Sequence, residues 1–371
     1  MKKLHNVCVL FGGVSTEHLI SCRSAYNIIQ GLVEAGLEVA AVGMTKEGEF
    51  LRYLADLETL RSGEWEEAAR AALAEAGAAA PSPADIASPA AFLAYHCGGT
   101  RPDVVFPAVH GINCEDGVLQ GFLEMCAVPY VGSGVLASAA GMDKSFAKIV
   151  FEAAGIPQVP FAVARRADIR RDPEGEAEKL VKELGLPLFL KPANGGSSVG
   201  TTAAKTAEAL AASLQTVAEF DEKVLVERFV DAREIEVAVM GNREPRAALP
   251  GEIVKEADIE YYDYETKYFK QGAVAAVPAD IPASLKEEIS ALALRAYQAL
   301  GCSGLSRVDF FLEKGSGKLY LNEINTLPGF TSISLYPLAW QKSGLDTAEL
   351  LRELCCLALE RSELTGRRTR A

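Results

Sequence analysis

The sequence predicts a chain of mixed α/β and α+β units that opens on a parallel sheet. Three observations carry that expectation. First, 371 residues with 49% hydrophobic and 23% charged side chains make an ordinary globular composition, long enough for two or three cored domains. Second, the N-terminal part alternates buried strands with amphipathic helices. Third, the rest carries a glycine-rich loop between two strands and, further on, a pair of strands bearing carboxylates.

The elements follow in order. Val7 to Phe11 is a continuous apolar run, as a strand buried on both faces requires. Gly12-Gly13 turns the chain, and Ala25, Ile28, Ile29, Leu32 and Val33 recur at helical spacing up to Gly36. Val39 to Met44 and Asp103 to Val109 return as strands, giving the β-α-β alternation of a parallel sheet. Between them, residues 60–100 are Ala-rich and punctuated by proline, which reads as an inserted helix and a dispensable surface loop. Lys144 to Ala154 is an amphipathic helix stopped by Gly155 and Pro157. A strand at Val159–Ala164, a helix at 174–184 and a strand at Pro187–Lys191 lead into the loop 194–200. A strand to Ala204, a helix at 206–219 and strands at Lys223–Val230 and Glu234–Met240 follow, before a last large α+β unit.

Charge and cysteine usage narrow the class. Thirty-seven Lys and Arg against 50 Asp and Glu give −13, an acidic surface that disfavours general nucleic-acid binding. It leaves room for a small phosphorylated ligand in a local basic pocket. The apolar run after Lys2-Lys3 ends at Gly12-Gly13, too short for a signal peptide, and no stretch reaches the roughly 18 apolar residues of a membrane span. The eight cysteines include no C-x-x-C pair and sit mostly in apolar runs, as small buried thiols of a reducing compartment. A cytoplasmic protein is expected.

Several clusters could carry chemistry. In the strand RVDFFL, a period of two places Arg307 and Asp309 on one face. In LYLNEIN, Glu323 and Asn325 share a face. Pairing of these strands through the turn at Gly315–Gly317 would gather two carboxylates and an amide oxygen, a hard-oxygen set suited to Mg2+. The loop Gly195-Gly196-Ser197-Ser198-Val199-Gly200 follows Lys191 at a strand end. Its backbone N–H groups could wrap phosphate oxygens, although it is not a Walker loop and, taken alone, such a loop is more often a hairpin turn. Glu17, just beyond the first strand, is either a partner for an ammonium group or a helix N-terminal glutamate favoured by the macrodipole. His110, beside Glu115 and Asp116, is either an acid/base group or a satisfied loop histidine. Cys114 lacks a base, and its two acidic neighbours disfavour a thiolate. The run Tyr261 to Phe269 is either a lid or a surface hairpin. A dinucleotide-binding dehydrogenase is disfavoured because G-x-G-x-x-G is absent.

In combination and in order, the stretches LFGGVSTEHLIS, VFPAVHGINCEDGVLQGFLE, VPYVGSGVLASAAGMDKSFAK, LFLKPANGGSSVG, YYDYETKY, SGLSRVDFFL and LNEINTLPGFTSISLYP resemble the D-alanine–D-alanine ligase family of the ATP-grasp superfamily. The resemblance runs from about residue 5 to about residue 355. It implies a three-domain ATP-grasp architecture. Residues 1–132 would form an N-terminal parallel-sheet, substrate-binding domain carrying the 60–100 insertion. Residues 133–226 would form a central subdomain with the glycine loop, and 227–371 a C-terminal subdomain with the Mg2+ site and lid.

The resemblance also implies roles. ATP would phosphorylate one D-alanine, and the amine of a second would attack the acyl phosphate. Lys144 and Lys191 match lysines that contact ATP phosphates, with the loop from Ser197 to Gly200 closing over them. Glu227 matches the adenine hinge and Glu234 the ribose partner. Asp309, Glu323 and Asn325 match the Mg2+ ligands, two ions with Glu323 bridging, Mn2+ being an alternative metal. Glu17, Ser198 and Tyr268 match a hydrogen-bonded triad that closes the site, with Glu17 on the first ammonium. Arg307 and the Gly329 amide match the oxyanion stabilisers, and Lys267 a lysine near the transferred phosphoryl group. Ser334 and the Leu335 amide match the holders of the second carboxylate, and His110 a residue near the second substrate. The YDYxxKY pattern and Leu335 favour a D-Ala–D-Ala product over D-Ala–D-Ser, and both over D-Ala–D-lactate. Cys114, Ala232 and Ile333 depart from the family pattern without removing a required group. A homodimer is expected. A non-catalytic nucleotide binder that kept the fold would be expected to have lost one of Lys191, Arg307, Asp309, Glu323 or Asn325. A glutathione-synthase-like ligase is disfavoured by HGxxxEDG and YDYETKY.

Overall fold

The structure, a computed structural model, describes residues 4–255 and 273–365. The tyrosine-rich run 261–269, with Lys267 and Tyr268, lies outside the described residues. Three sheets organise the chain. The first contains β1 (Asn6–Gly12), β2 (Glu38–Met44), β3 (Phe50–Tyr53) and β4 (Val104–Pro107) in the order β3-β2-β1-β4. β1 pairs parallel with β2 and β4, as its uninterrupted apolar sequence predicts. β3 is an exception to the parallel sheet expected from the sequence, since it runs antiparallel to β2 after a tight turn.

The second sheet is antiparallel: β5 (Phe161–Arg165), β6 (Leu188–Pro192), β7 (Thr202–Ala204) and β8 (Lys223–Arg228), in the order β5-β8-β6-β7. The glycine loop is the β6–β7 connection. The third sheet holds β9 (Ala232–Gly241), β10 (Arg246–Ala247), β11 (Gly251–Lys255), β12 (Ala273–Ala276), β13 (Gly304–Glu313) and β14 (Leu319–Asn325). Its order is β12-β11-β9-β13-β14, with β10 paired to β9.

Alternation on the third sheet separates core from site. Ile235, Val237 and Val239 of β9 and Val308, Phe310 and Leu312 of β13 point into a core shared with the helices Val135–Met142, Lys144–Ala153 and Ala283–Leu300. The opposite face carries Glu234, Glu236, Arg307 and Asp309. The C-terminal helices Leu335–Lys342 and Thr347–Thr365 pack instead into the core beneath β1, with Phe11, Ile28 and Leu32.

The segment 60–100 is less peripheral than its composition predicts. Trp65 is fully buried against Phe11 and Tyr53. Its indole N–H donates to His18 Nε2 at 2.9 Å, and His18 Nδ1 sits 2.8 Å from the Gly13 carbonyl. This fixes the tautomer with the proton on Nδ1 and ties the segment to the first strand's turn. The expectation of a dispensable surface insertion is therefore corrected: its helix Trp65–Glu75 closes the N-terminal core, and the exposed stretch is residues 74–84. Gly12 is required at that turn. Its φ is +85°, and a Cβ there would stand 2.1 Å from the Met44 carbonyl oxygen.

Candidate active site

The three sheets converge on a cleft formed by two cavities of about 610 and 570 Å3. Both are lined by Lys144, Gly195, Gly196, Ser197, Glu236, Arg307 and Glu323, so these residues stand where the two meet. Glu17, His110, Asn325, Gly329, Ser334 and Leu335 line the first cavity. Lys191, Ser198, Glu227, Glu234 and Asp309 line the second. Gly200 lines neither; it turns the loop back beside Phe220.

The carboxylate wall follows from register. Asp309 of β13 lies opposite Glu323 of β14 and Glu236 of β9, and Arg307 opposite Asn325. The β13–β14 pairing shifts between Asp309 and Phe310, where Leu321 becomes the partner of Phe310 and Asn322 is left over. This bulge lets Leu321 face the core while Asn322 and Glu323 both face the cleft. Arg307 donates to Asp309 through Nε and a terminal nitrogen at 2.8 and 2.7 Å, and its Nε lies 3.0 Å from Glu236. Burial opposes the guanidinium's charge, but Asp309 and Glu236 hold its pKa well above the ordinary arginine value.

The lysines are equally engaged. Lys144 Nζ donates to the Gly195 carbonyl at 2.5 Å and lies 3.4 Å from Glu323, linking the glycine loop to the carboxylate wall. Lys191 Nζ donates to Asn322 Oδ1 at 3.0 Å and pairs with Glu227 at 2.8 Å. Burial works against Lys191's charge, yet Glu227 and Glu323 leave its pKa raised. Burial would also raise Glu227, but Lys148 and Lys191 hold it down to about 2.

Glu17 occupies the N-cap position of the helix His18–Glu34 but makes no side-chain cap bond there. Its carboxylate instead accepts a 2.5 Å hydrogen bond from Ser197 Oγ across 180 residues. By resemblance Ser198 is the expected partner of Glu17; the structure instead places Ser197 there and leaves Ser198 exposed, lining the second cavity. The reason lies in the backbone. Ser197 and Ser198 both adopt left-handed φ values, +51° and +58°, so consecutive side chains diverge with no strand or helix period to predict which one turns inward.

His110 is buried, with Nδ1 3.2 Å from Glu115. Burial lowers its basicity, while the hydrogen bond and charge of Glu115 more than offset this, so its pKa is raised. Its Nε2 has no hydrogen-bond partner among the described residues and points at the loop where Gly329 lies. That loop is anchored from the first domain: Phe330 N–H donates to Ser24 Oγ at 3.2 Å, and Asn27 donates to the Phe330 carbonyl at 2.8 Å. Ser334 then begins the helix Leu335–Lys342, its Oγ accepting from Thr331 N–H at 3.0 Å. Cys114 is buried, and its thiol is pushed up to about 12 by that burial and by Glu115 and Asp116, which removes it as a nucleophile.

Glu236, Lys148 and Asn322 join the site without having been singled out in the sequence. For Glu236 a signal was present: it shares a strand face with Glu234 by the period of two.

Among the described residues no group of three or more His, Cys, Asp or Glu is arranged as a metal site. The donor chemistry nevertheless fits a hard cation, since Asp309, Glu323 and Asn325 offer oxygen ligands on adjacent strands. Asp309 shares its carboxylate with Arg307, and Asn325 Oδ1 accepts from Leu327 N–H at 3.0 Å.

One cavity between an antiparallel sheet and a carboxylate-bearing sheet, joined to a second that reaches Glu17 and His110, fits an ATP-grasp architecture. Family models described as D-ala D-ala ligase N-terminus and C-terminus match residues 6–133 and 150–356. The chain is 43% identical to a D-alanine–D-alanine ligase of Acetivibrio thermocellus over 362 residues, 96% of each chain. It is 44% identical over 358 residues to one from Thermoanaerobacter, covering 95% of this chain and 96% of that one. Among solved structures it resembles a D-alanine–D-alanine ligase from Coxiella burnetii, with a TM-score of 0.78 and 34% identity over 98% of this chain and 97% of that one. It also resembles a D-Ala:D-Ser ligase from Enterococcus faecalis, with a TM-score of 0.79 and 31% identity over 96% of this chain and all of the other. The chain belongs to the D-alanine–D-alanine ligase family.

Proposed function

We propose that the protein is an ATP-dependent ligase that joins two molecules of D-alanine through a D-alanyl phosphate, supplying a precursor of peptidoglycan. The observation that carries this reading is the meeting of two cavities at Lys144, Ser197, Arg307 and Glu323. One cavity takes the nucleotide and the other two small zwitterions, and the transferred phosphoryl group sits at their shared wall.

On this reading, a carboxylate oxygen of the first D-alanine attacks the γ-phosphorus, and ADP leaves. The amine of the second then attacks the acyl carbon, and phosphate leaves as the peptide bond forms. Glu17 receives the first ammonium, with the Ser197 hydroxyl fixing its carboxylate. Lys144 and Lys191 stand over the phosphates, with Glu227 and Glu234 on the adenine and ribose side. Arg307 and the Gly329 amide face the oxyanion; loss of one such donor costs on the order of 10²–10³ in rate. Ser334 and the Leu335 amide, at a helix start, take the second carboxylate, and His110 lies beside it. Asp309, Glu323 and Asn325 would hold Mg2+, which when bound supplies charge neutralisation to the phosphates. Lys267 and Tyr268 complete the site by resemblance. The protein is proposed to act in the cytoplasm as a homodimer. No helix among the described residues is long and apolar enough to cross a membrane.

Phosphate release from Mg-ATP tests the reading, with product masses identified. D-alanine alone should support turnover and yield D-Ala–D-Ala. Product only when D-serine or D-lactate is added would move the second substrate, and no release with any amino acid would reject a ligase.

A further inference from the structure

Lys148 is a buried cation to which the reaction above gives no part. It sits one turn after Lys144 in the helix Lys144–Ala153, so the two share a face. Its side chain is 1% exposed and lines neither cavity. Its Nζ lies 2.7 Å from Glu227 Oε1, while Lys191 Nζ lies 2.8 Å from Glu227 Oε2. The Phe161 ring lies 5.2 Å from the ammonium and closes the other side.

We propose that Lys148 is a positioning residue for nucleotide binding, occupying one oxygen of Glu227 so that Lys191 keeps its positive charge available to the phosphates. The inference rests on the ATP-dependent reading above. The charge balance gives the reason. Two lysines around one carboxylate leave the trio with a single net positive charge beside the phosphate site. Without Lys148 the trio is neutral, and the 2.8 Å Lys191–Glu227 pair becomes self-satisfied in a desolvated pocket where such pairs are strong. The lysine that should meet the phosphates is then drawn toward the adenine side. Lys148 cannot contribute by touching the ligand, because it is walled off from both cavities. Burial disfavours its charge and lowers its pKa, and the charge and hydrogen bond of Glu227 work against that lowering.

The test compares calorimetric affinities of the full chain for Mg-ATP and for adenosine. The ratio of the two isolates the contribution of the phosphates and is insensitive to a general loosening of the fold. Lys148→Met should weaken ATP by roughly tenfold or more, the scale of a lost charge-assisted contact, while adenosine changes by less than about twofold. The double variant Lys148→Met with Glu227→Gln removes the competing carboxylate together with its neutraliser. Its adenosine-to-ATP ratio should return to the wild-type value even if both affinities fall through a lost adenine contact. A wild-type ratio in Lys148→Met would overturn the proposal, as would a collapsed ratio in the double variant. If Lys148→Met does not fold, Lys148→Gln takes its place with the same ratios expected, its amide filling the site with a neutral polar group, and a wild-type ratio there overturns the proposal equally. A wild-type chain that binds adenosine and ATP equally would overturn the ATP reading and this inference with it.

Discussion

Ser197 and Ser198 make opposite predictions for two adjacent hydroxyls in one loop. Ser197 Oγ donates to a carboxylate that is 7% exposed, at 2.5 Å, within the short range of charge-assisted bonds. A hydrogen bond to a charged group contributes roughly 1.5–3 kcal/mol, which corresponds to about 10- to 150-fold. Ser197→Ala should therefore lower kcat/KM for D-alanine at saturating ATP by about that factor. Ser198→Ala, which removes an exposed hydroxyl on the second cavity, which Glu17 does not line, should stay within about threefold in the same quantity. Ser197→Gly separates side chain from backbone. It relieves a left-handed non-glycine residue, worth on the order of 1 kcal/mol, yet loses the same hydroxyl. It should match Ser197→Ala in activity while being no less stable to urea. Equal losses in the two alanine variants, or a larger loss at Ser198, would refute the assignment of the loop's contact to Ser197.

Two further outcomes follow from burial and charge. Trp65→Phe should destabilise the chain by roughly 1–3 kcal/mol in urea titration, because His18 Nε2 loses its donor in a buried site, whereas deleting residues 78–84 from the exposed stretch should leave the unfolding midpoint nearly unchanged. Glu227 has a depressed pKa, so its contribution to stability is present above the ordinary 4.5 and is lost as pH falls through about 2. That interval corresponds to roughly 3 kcal/mol, and the gap in unfolding free energy between wild type and Glu227→Gln should shrink by a large part of it on acidification from pH 5 to pH 2; a pH-independent gap would contradict the Lys148–Glu227–Lys191 arrangement.

How much of this was legible in the sequence depended on whether a period governed the residues. Strand alternation put Arg307 with Asp309 and Glu323 with Asn325, and the pairing of β13 with β14 brings them together. Apolar continuity identified β1, and helical spacing identified the helix behind it. Where no period operates, the reading failed or fell silent. The glycine loop misassigned Ser198 because two left-handed residues in succession defeat any face argument. The bulge that turns Asn322 inward depends on a cross-strand register that one strand cannot reveal. Trp65 looked expendable because its Ala-rich neighbours carry no core signature, although its contacts lie 47 residues away in sequence at His18. Lys148 was invisible for the same reason: its partner, Glu227, comes from β8, far along the chain from the helix that carries the lysine.

The arrangement of charges explains why these elements must meet. In and behind the cleft, Lys144, Lys148, Lys191 and Arg307 face Glu227, Glu234, Glu236, Asp309 and Glu323. The carboxylates outnumber the cations by one among the described residues, so a polyphosphate entering this cleft adds negative charge to a site already slightly acidic. Positive charge must arrive with it, which is the role the oxygen donors on β13 and β14 fit. It must also be spent at the γ-phosphoryl end, where each resident cation is already held by an acid. Lys144 is held between Gly195 and Glu323, Lys191 between Glu227 and Asn322, and Arg307 between Asp309 and Glu236. Such pairs add little net stability when buried, but they fix the cations in place before substrate binds. A cation already fixed needs no reorganisation when charge moves from carboxylate to acyl phosphate to tetrahedral oxyanion, and that preorganisation is the largest electrostatic contribution a site can make.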